Sequence, residues 1–329
     1  MNEVLGIWRP RKSGCTINDE REVMTEFSLS SERSAAEAST RVGRAPKGIA
    51  IEAGGHRVRL KWHRLQRRPD DLAFTPRRLR EGLVLGASME VDLRRHADHG
   101  FVCLHDETLD RETTGNGAVA AATTETLRRL ALRREDGAPS GEGLILLEDL
   151  AEIARMDGDR HALLQFDLKE DDSAIDDGVI ESFRRTVACI ANRCIISGHD
   201  WRAVSRLAEA VPGLRRGFDP CADDTLEQLR DAQDCRVFIA DGLAAAPEAE
   251  TIYLDYRIVL AALELGVDLI APCHVAGKTV DAWTLNPDHP RAAENLWHLI
   301  ALKADQITTD APEELEALFD SIETRPCRK

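Results

Sequence analysis

The chain has 329 residues, of which 43% are hydrophobic, so it can bury a substantial core and its composition excludes global disorder. A formal net charge of −15 makes the chain as a whole a poor candidate for binding nucleic acid or an anionic membrane. An anionic small-molecule substrate is compatible with this charge if arginine, lysine or a metal ion lies beside it.

The beginning of the chain predicts an extension followed by a hairpin. Residues 1–47 are polar and weakly periodic, and we expect them to form an extension of a main domain that comprises residues 48–329. Residues 48–60 alternate between apolar and polar side chains around Gly54-Gly55, which predicts a small β-hairpin.

Short apolar runs then alternate with helical stretches. The predicted strands cover residues 59–63, 88–93, 101–105, 162–168, 194–197, 214–218, 267–272, 280–285 and 306–309. The predicted helices cover residues 75–83, 124–132, 147–156, 177–190, 201–210, 225–232, 252–265, 290–302 and 312–322.

This alternation predicts an α/β fold with a parallel sheet. Eight or nine strand–helix units suit a closed barrel better than a doubly wound sheet. The first strand is not followed by a Gly-x-Gly-x-x-Gly loop, and the chain has no Walker loop, which disfavours a nucleotide-binding sheet. We therefore predict a TIM (β/α)8 barrel with an amino-terminal extension.

The expected cellular location rests on the lack of targeting signals and on the spacing of the cysteines. The first 14 residues lack the apolar core of a signal peptide, and no apolar stretch is long enough to span a membrane. The eight cysteines include no Cys-x-x-Cys pair and do not cluster with histidine at zinc spacing. We expect a cytoplasmic protein with reduced cysteines and no membrane partner.

Polar residues fall at or near the ends of the early strands, where a barrel carries its catalytic groups. In chain order, these residues are His63-Arg64, Glu90 and Asp92, His105-Asp106, and Asp167-Leu168-Lys169.

The carboxylates indicate a metal site. Residues i and i+2 of a strand point to the same side, so Glu90 and Asp92 both face the barrel interior if Met89 and Val91 face the helices. Two adjacent carboxylates without a partner repel each other. A hard divalent cation such as Mg²⁺ or Ca²⁺ removes this repulsion, and Asp167 is the natural third ligand.

The histidines and the basic residues indicate phosphodiester chemistry. Cleavage of a phosphodiester needs a base for the nucleophile and an acid for the leaving oxygen, and histidine suits both tasks near neutral pH. His63 and His105 provide two such groups. Arg64 and Lys169 can stabilise charge on the phosphate oxygens.

Each feature also has a structural alternative. Glu90 and Asp92 could pair with Arg94, Arg95 or other surface charges. A lone histidine at the end of a strand is more often structural than catalytic, and the sequence does not decide which of two histidines would be the acid.

The ordered motifs resemble those of the glycerophosphodiester phosphodiesterases, a family of TIM-barrel enzymes, from about residue 59 to the carboxyl terminus. The segments that carry the resemblance are His63-Arg64, Pro69-Asp70-Asp71, Glu90-Val91-Asp92, His105-Asp106, Leu109-Asp110-Arg111-Glu112-Thr113-Thr114-Gly115, Asp167-Leu168-Lys169, Trp283-Thr284-Leu285-Asn286 and Thr309-Asp310-Ala311-Pro312. A second pair, His56-Arg57, follows the two glycines and is better placed in a turn.

The resemblance implies metal-dependent hydrolysis of a small phosphodiester to an alcohol or sugar and a phosphomonoester. A neighbouring hydroxyl of the substrate would be the nucleophile, through a cyclic phosphate. The roles that it implies are acid and base for His63 and His105, ligands of one divalent cation (Mg²⁺ or Ca²⁺) for Glu90, Asp92 and Asp167, and substrate contacts for Arg64, Lys169 and Trp283. Trp283 would lie near the alcohol, although a packed core tryptophan is an equal alternative.

The chain departs from the family pattern around the substrate. Leu65 replaces a glycine, Asp70 or Asp71 stands where glutamate is usual, and Asp167 is one methylene shorter than the usual glutamate. A non-glycerol diester, such as the sugar phosphodiesters called agrocinopines, is therefore one candidate substrate. The sequence leaves open a synthase or a cyclic-phosphate-forming lyase on the same site, and a non-catalytic barrel that binds phosphate ligands.

Overall fold

Eight parallel strands close into a barrel in the computed structural model of the chain, which describes residues 46–156 and 158–323. The strands are β1 (Ala50–Ala53), β2 (His56–Trp62), β3 (Ser88–Arg95), β4 (Phe101–Cys103), β5 (Ala131–Arg133), β6 (Pro139–Gly143), β7 (Leu163–Leu168), β8 (Cys194–Gly198), β9 (Arg215–Phe218), β10 (Thr251–Asp255), β11 (Thr279–Trp283) and β12 (Gln306–Thr309). The barrel runs β2-β12-β11-β10-β9-β8-β7-β3, and the pairing of β3 with β2 closes it.

Helices connect consecutive barrel strands. They are α1 (Pro76–Leu85), α2 (Thr124–Leu127), α3 (Leu147–Met156), α4 (Asp177–Val187), α5 (Trp201–Glu209), α6 (Thr225–Gln228), α7 (Ala232–Ala245), α8 (Tyr256–Glu264), α9 (Ile270–Val275), α10 (Ala292–Ala301) and α11 (Pro312–Glu323). The predicted TIM barrel is confirmed.

Local sequence explains where the first connecting helix begins and ends. The side chain of Thr75 accepts a hydrogen bond from the backbone N of Arg78, and Pro76 occupies the first turn of α1, where its missing N–H costs nothing. Gly86 ends the helix with a φ of 71°, in the left-handed region that glycine adopts without strain. The chain then enters β3.

The two faces of the barrel strands differ in polarity. Met89 and Val91 of β3 are fully buried among apolar residues of the flanking helices, as predicted. The alternate face of the strands points into the barrel and carries buried polar side chains. These include Lys61, Gln165, Ser197, Asp281 and Thr308.

The prediction of a strand at residues 267–272 is wrong. The corresponding barrel strand is β10, which lies at the start of the helix predicted for residues 252–265. Asp255 ends β10 and caps α8, because its Oδ1 accepts a hydrogen bond from the backbone N of Arg257 at 2.8 Å. The segment predicted as one helix therefore contains both a strand and a helix.

The segment 267–272 leads into a short helix, because Asp268 accepts hydrogen bonds from backbone N–H groups at the start of that helix. Oδ1 of Asp268 accepts hydrogen bonds from the backbone N of Ile270 at 2.8 Å and of Ala271 at 3.0 Å. This cap precedes α9, so the apolar residues here belong to a short helix. The long helix α7 was also missed by the sequence prediction.

The strand predicted at residues 101–105 lies outside the barrel. It corresponds to β4, which pairs antiparallel with the end of β3. Only residues 96–100 connect the two strands, too few for the crossover that a parallel neighbour requires. The chain from β4 to α3 forms an insertion that contains the antiparallel pair β5–β6.

The remaining predictions concern the start of the chain. The predicted hairpin is confirmed, since β1 and β2 pair antiparallel around Gly54 and Gly55. The extension predicted for residues 1–47 lies outside the described residues except for its last two, and it stays a prediction. Among the helices of the described ranges, none has the length and apolar character needed to cross a membrane.

Candidate active site

A pocket of about 300 Å³ opens where the barrel strands end. It is lined by all eight side chains that the sequence singled out: His63, Arg64, Glu90, Asp92, His105, Asp167, Lys169 and Trp283. The histidine of the alternative pair, His56, instead begins β2 and contacts the carbonyl oxygen of Ala304. The structure therefore brings residues more than 200 positions apart into one site.

Three carboxylates form a cluster on one wall of this pocket. Glu90 and Asp92 point inward from β3, and Asp167 is the register partner of Asp92 on β7. One potential ligand oxygen from each of the three lies within 4.8 Å of the others. Neighbouring parallel strands in register thus create the cluster.

Two basic residues contact the cluster. The backbone N of Arg64 donates to Oε2 of Glu90 at 2.7 Å, and its Nε lies 3.1 Å from Oδ2 of Asp92. Nζ of Lys169 lies 2.9 Å from Oδ1 of Asp92 and 2.5 Å from Oδ2 of Asp167. Positive charge is therefore in place beside the carboxylates.

This arrangement separates the titration of the two buried carboxylates. Burial, with the charge of Asp92 beside it, raises the pKa of Glu90 to about 7. Burial also opposes ionisation of Asp92, but the Lys169 and Arg64 cations lower the pKa of Asp92 to about 2. Without a bound cation, the neighbouring positive charges compensate the negative charge of Glu90 less than that of Asp92.

The cluster fits a hard divalent cation. It offers carboxylate oxygens alone, the donor type that Mg²⁺ and Ca²⁺ prefer. Oδ2 of Asp92 is buried and has no hydrogen-bond partner among the described residues, because its contact with Arg64 lacks hydrogen-bond geometry. A cation among the three carboxylates would satisfy this oxygen and compensate the charge of Glu90.

The pairing of these carboxylates with Arg94 and Arg95, which the sequence left open, does not occur. Arg94 instead donates to the carbonyl oxygens of His105 at 2.9 Å and of Lys169 at 2.7 Å. The backbone N of Arg95 donates to Glu170. Arg94 thereby ties the backbones of two pocket residues together.

His63 is held by a carboxylate from the last barrel strand. Its Nδ1 lies 2.6 Å from Oδ1 of Asp310, and Asp310 accepts a further hydrogen bond from Nδ2 of Asn286 at 2.5 Å. Burial lowers the pKa of His63, but the hydrogen bond to Asp310 and the charge of Glu90 outweigh this effect and raise the pKa above its ordinary value. Nδ1 is thus occupied, which leaves Nε2 for other contacts.

His105 lies after β4 in a loop that its own motif organises. Its Nδ1 lies 2.9 Å from Oδ1 of Asp106, and Arg111 binds both oxygens of Asp106 at 2.6 Å. Oε2 of Glu112 accepts hydrogen bonds from the backbone N of His105 at 3.0 Å and of Asp106 at 3.1 Å. His63 and His105 therefore both use Nδ1 to contact the side chain of an aspartate.

The pocket has two walls of different character. The near wall comprises His63, Arg64, Glu90, Asp92, His105, Asp167 and Lys169. The far wall comprises His199, Asp219, Tyr253 and Trp283. Sequence reasoning found only Trp283 of the far wall, although His199 and Asp219 directly follow β8 and β9 and the strand-end rule could have found them.

The protein satisfies the polar groups of the far wall only in part. Burial raises the pKa of Asp219 to about 7; Asp219 accepts a hydrogen bond from the backbone N of Cys221 at 2.8 Å but forms no ion pair with any residue that the structure describes. Nε1 of Trp283 is buried without a hydrogen bond to the described protein. Tyr253 extends over Gly217, where an added Cβ would lie 2.4 Å from its ring, so the absence of a side chain at Gly217 makes room for the phenol.

The departures from the family pattern shape the loop after β2. Leu65 is buried at a φ of 62°, a left-handed conformation that suits glycine better than leucine. Oδ2 of Asp71 accepts hydrogen bonds from the backbone N of Arg67 and of Arg68, and its Oδ1 lies 2.5 Å from Arg78. Asp71 therefore stabilises the loop and is not among the residues that line the pocket.

Comparison with known proteins identifies the family. Residues 75–314, more than half of the chain, match the model of the glycerophosphoryl diester phosphodiesterase family. The chain belongs to this family. This match confirms the family resemblance predicted from the sequence and the assignment of the chain as a phosphoric diester hydrolase. The matched span begins after His63 and Arg64.

Individual family members are distant. A glycerophosphodiester phosphodiesterase of Caldanaerobacter subterraneus subsp. tengcongensis is 24% identical over 241 residues, which cover 72% of this chain and 87% of that protein. A structure of a glycerophosphodiester phosphodiesterase from Agrobacterium tumefaciens has a TM-score of 0.56 at 18% identity, covering 80% of this chain and 99% of that one. An Oleispira antarctica phosphodiesterase in complex with the product sn-glycerol-3-phosphate has a TM-score of 0.54 at 17% identity, covering 79% and 96%. At these identities the solved structures support the shared fold.

Proposed function

We propose that this enzyme is a metal-dependent phosphodiesterase that hydrolyses a small glycerophosphodiester, or a sugar phosphodiester such as an agrocinopine, to an alcohol or sugar and a phosphomonoester. One observation carries the proposal: two histidines, three carboxylates, an arginine and a lysine meet in one pocket at the carboxyl ends of the strands. Family membership supports the hydrolysis of a phosphodiester. A complex of the Oleispira antarctica relative with sn-glycerol-3-phosphate supports a small-molecule substrate.

Glu90, Asp92 and Asp167 would hold one divalent cation, Mg²⁺ or Ca²⁺. When bound, the cation supplies Lewis-acid stabilisation of negative charge on the phosphoryl oxygens. Arg64 and Lys169 bring two further positive charges to the same wall, with the planar guanidinium suited to two phosphate oxygens.

His63 and His105 would serve as acid and base. Each has Nδ1 in contact with an aspartate, so Nε2 of each remains for a proton of the substrate. One histidine would take the proton of a substrate hydroxyl next to the phosphoester, and the other would protonate the leaving oxygen. A hydroxyl within the same molecule gains from proximity and favours a cyclic phosphate as the first product.

The far wall would contact the variable part of the substrate. Its carboxyl group, imidazole, phenol and indole can hydrogen-bond or pack against an alcohol or a sugar. Trp283, whose Nε1 has no partner in the described protein, would lie near the alcohol.

The test is turnover of a small panel of diesters by protein stripped with EDTA and then supplied with Mg²⁺ or Ca²⁺. The panel contains glycerophosphocholine, glycerophosphoglycerol and an agrocinopine. We expect turnover of at least one diester that stops on chelation and returns with the cation. Full turnover after exhaustive chelation would contradict the metal assignment, and failure to cleave any diester with any divalent cation would contradict the activity.

A further inference from the structure

A line of hydrogen bonds crosses the barrel interior at the pocket, where Lys61 and Gln165 are among the lining residues, and ends at a proposed cation ligand. Nζ of Lys61 lies 2.8 Å from Oδ2 of Asp281 and also donates to Oε1 of Gln165. Nε2 of Gln165 donates to Oγ of Ser197 at 2.8 Å, and Oγ of Ser197 lies 3.2 Å from Oδ1 of Asp167. Lys61, Gln165, Ser197 and Asp281 are all buried.

Strand register produces this line. Gln165 and Asp167 are two residues apart on β7 and so point to the same side. Ser197 on β8 is the register partner of Asp167. A hydroxyl at this position therefore lies directly beside the carboxylate.

The charge on Lys61 fixes the direction of every bond in the line. An ammonium group has donors and no acceptor, so Gln165 must present its carbonyl oxygen to Lys61 and its NH₂ group to Ser197. Ser197 then accepts from Gln165, and its single proton is left for Asp167. The orientation of the Gln165 amide follows from this chemistry.

Lys61 is itself held in place. Its partner Asp281 accepts hydrogen bonds from Oγ1 of Thr308 at 2.7 Å and from Nε2 of Gln306. The ammonium also lies 4.5 Å from the centre of the Tyr253 ring, within the range of a cation–π contact. Because the Lys61 ammonium is buried and has several partners, it is a fixed donor at one end of this line of hydrogen bonds.

We propose that Ser197 is a positioning residue that orients the carboxylate of Asp167 for the cation, with Lys61 and Gln165 directing its hydrogen bond. This inference rests on the proposed function because it takes Asp167 to be a cation ligand. Lys169 contacts Oδ2 of Asp167, and Ser197 contacts Oδ1, so the two together restrict rotation of the carboxylate. Such outer contacts commonly set the affinity of a metal site.

The test compares two buried serines that face the barrel interior. Ser197→Ala removes the hydrogen bond to Asp167. Ser88→Ala is the matched control, because Ser88 is equally buried on β3 and its Oγ has no hydrogen-bond partner. Binding of Mg²⁺ and Ca²⁺ alone to EDTA-treated protein is measured by isothermal titration calorimetry, with circular dichroism to establish folding. Ser197→Cys, which keeps the size but is a much weaker donor, replaces the alanine variant if that variant does not fold.

We expect Ser197→Ala or Ser197→Cys to weaken cation binding by roughly 10–100-fold, and Ser88→Ala to bind like the wild type. Unchanged affinity in the Ser197 variants would overturn the inference while leaving the proposed function intact. Equal losses in the Ser197 and Ser88 variants would also overturn it, since the effect would then be one of packing. If the wild type itself binds no cation, the proposed function fails and this inference fails with it.

Discussion

The near and far walls of the pocket differ in how the protein pairs their charged groups. On the near wall, ion pairs of 2.5–3.1 Å link Arg64 and Lys169 to Asp92 and Asp167. On the far wall, Asp219 forms no ion pair within the described ranges and accepts a hydrogen bond from the backbone N of Cys221 at 2.8 Å, and Nδ1 of His199 lies 3.2 Å from the carbonyl oxygen of Asp219. A preorganised, charged near wall suits a constant group such as phosphate, whereas a far wall of polar and aromatic groups suits a variable alcohol.

The largest effect should come from removing a carboxylate of the near wall. Glu90→Gln removes the carboxylate of a proposed cation ligand, whose pKa burial and the charge of Asp92 raise to about 7. We expect cation binding and turnover to be abolished, as measured by calorimetry and a diester assay. The control Glu52→Gln changes an exposed glutamate of β1 that pairs with Arg57, and it should retain both. Wild-type cation affinity in Glu90→Gln would remove this residue from the metal site.

The next largest effect concerns the two histidines. His63→Ala and His105→Ala should each lose roughly 10²–10⁴-fold in rate, the usual contribution of a general acid or base. Binding of the diester should survive, because Arg64 and Lys169 remain. On a p-nitrophenyl phosphodiester, whose leaving group needs no acid, one of the two variants should recover much of its rate. Turnover of the natural diester within a few-fold of wild type in both variants would show that the histidines are structural.

A smaller effect should follow from changing Asp310, the aspartate that contacts Nδ1 of His63. Asp310 raises the pKa of His63, so Asp310→Asn removes the negative charge and lowers that pKa. The corresponding limb of the profile of kcat/KM against pH should move to lower pH. The rate should fall roughly 10–100-fold, as when the partner of a metal-binding histidine is removed.

A matched pair on the surface controls for this substitution. His99 and Asp176 also contact each other, at 3.1 Å, but are half exposed. Asp176→Asn should leave the pH profile unchanged. If Asp310→Asn leaves it unchanged as well, Asp310 does not set the titration of an essential group.

The smallest effect should come from the far wall. Asp219→Asn should alter the relative kcat/KM values of the diester panel by about 1 kcal/mol, or roughly fivefold, the scale of one hydrogen bond. Turnover of the p-nitrophenyl diester should change little, because the near wall is intact. A uniform loss on every substrate would show instead that Asp219 supports the phosphate chemistry, and the two walls would not be separable.

The near wall could be predicted from sequence because its residues occur in short local motifs. Glu90 and Asp92 share one strand, and Asp167 and Lys169 occur together at the end of another. The period of two in a strand then determines which side chains share a face. The far wall takes one residue from each of four strands, so each of them is isolated in the sequence and only its position at or near a strand end indicates it.

The errors in the fold prediction have a physical origin. β10 was missed because α8 begins directly after it, at Tyr256, and periodicity alone does not separate a buried strand from a buried helix. Asp310 and Asn286 lie in motifs that were noted, but their contact with His63 depends on how β11 and β12 meet β2. Such long-range pairings cannot be read from spacing along the chain.

Phosphorus NMR of the wild-type protein tests most directly whether the near wall cleaves phosphodiesters with a bound cation. Glycerophosphodiester is incubated with EDTA-stripped protein, and Mg²⁺ or Ca²⁺ is then added while spectra are recorded. We expect the diester signal to persist until the cation is added and then to be replaced by that of a phosphomonoester, with a cyclic phosphate at most as a transient intermediate. A diester signal that persists with every divalent cation, although calorimetry shows that the ligand binds, would contradict the claim and favour a non-catalytic barrel.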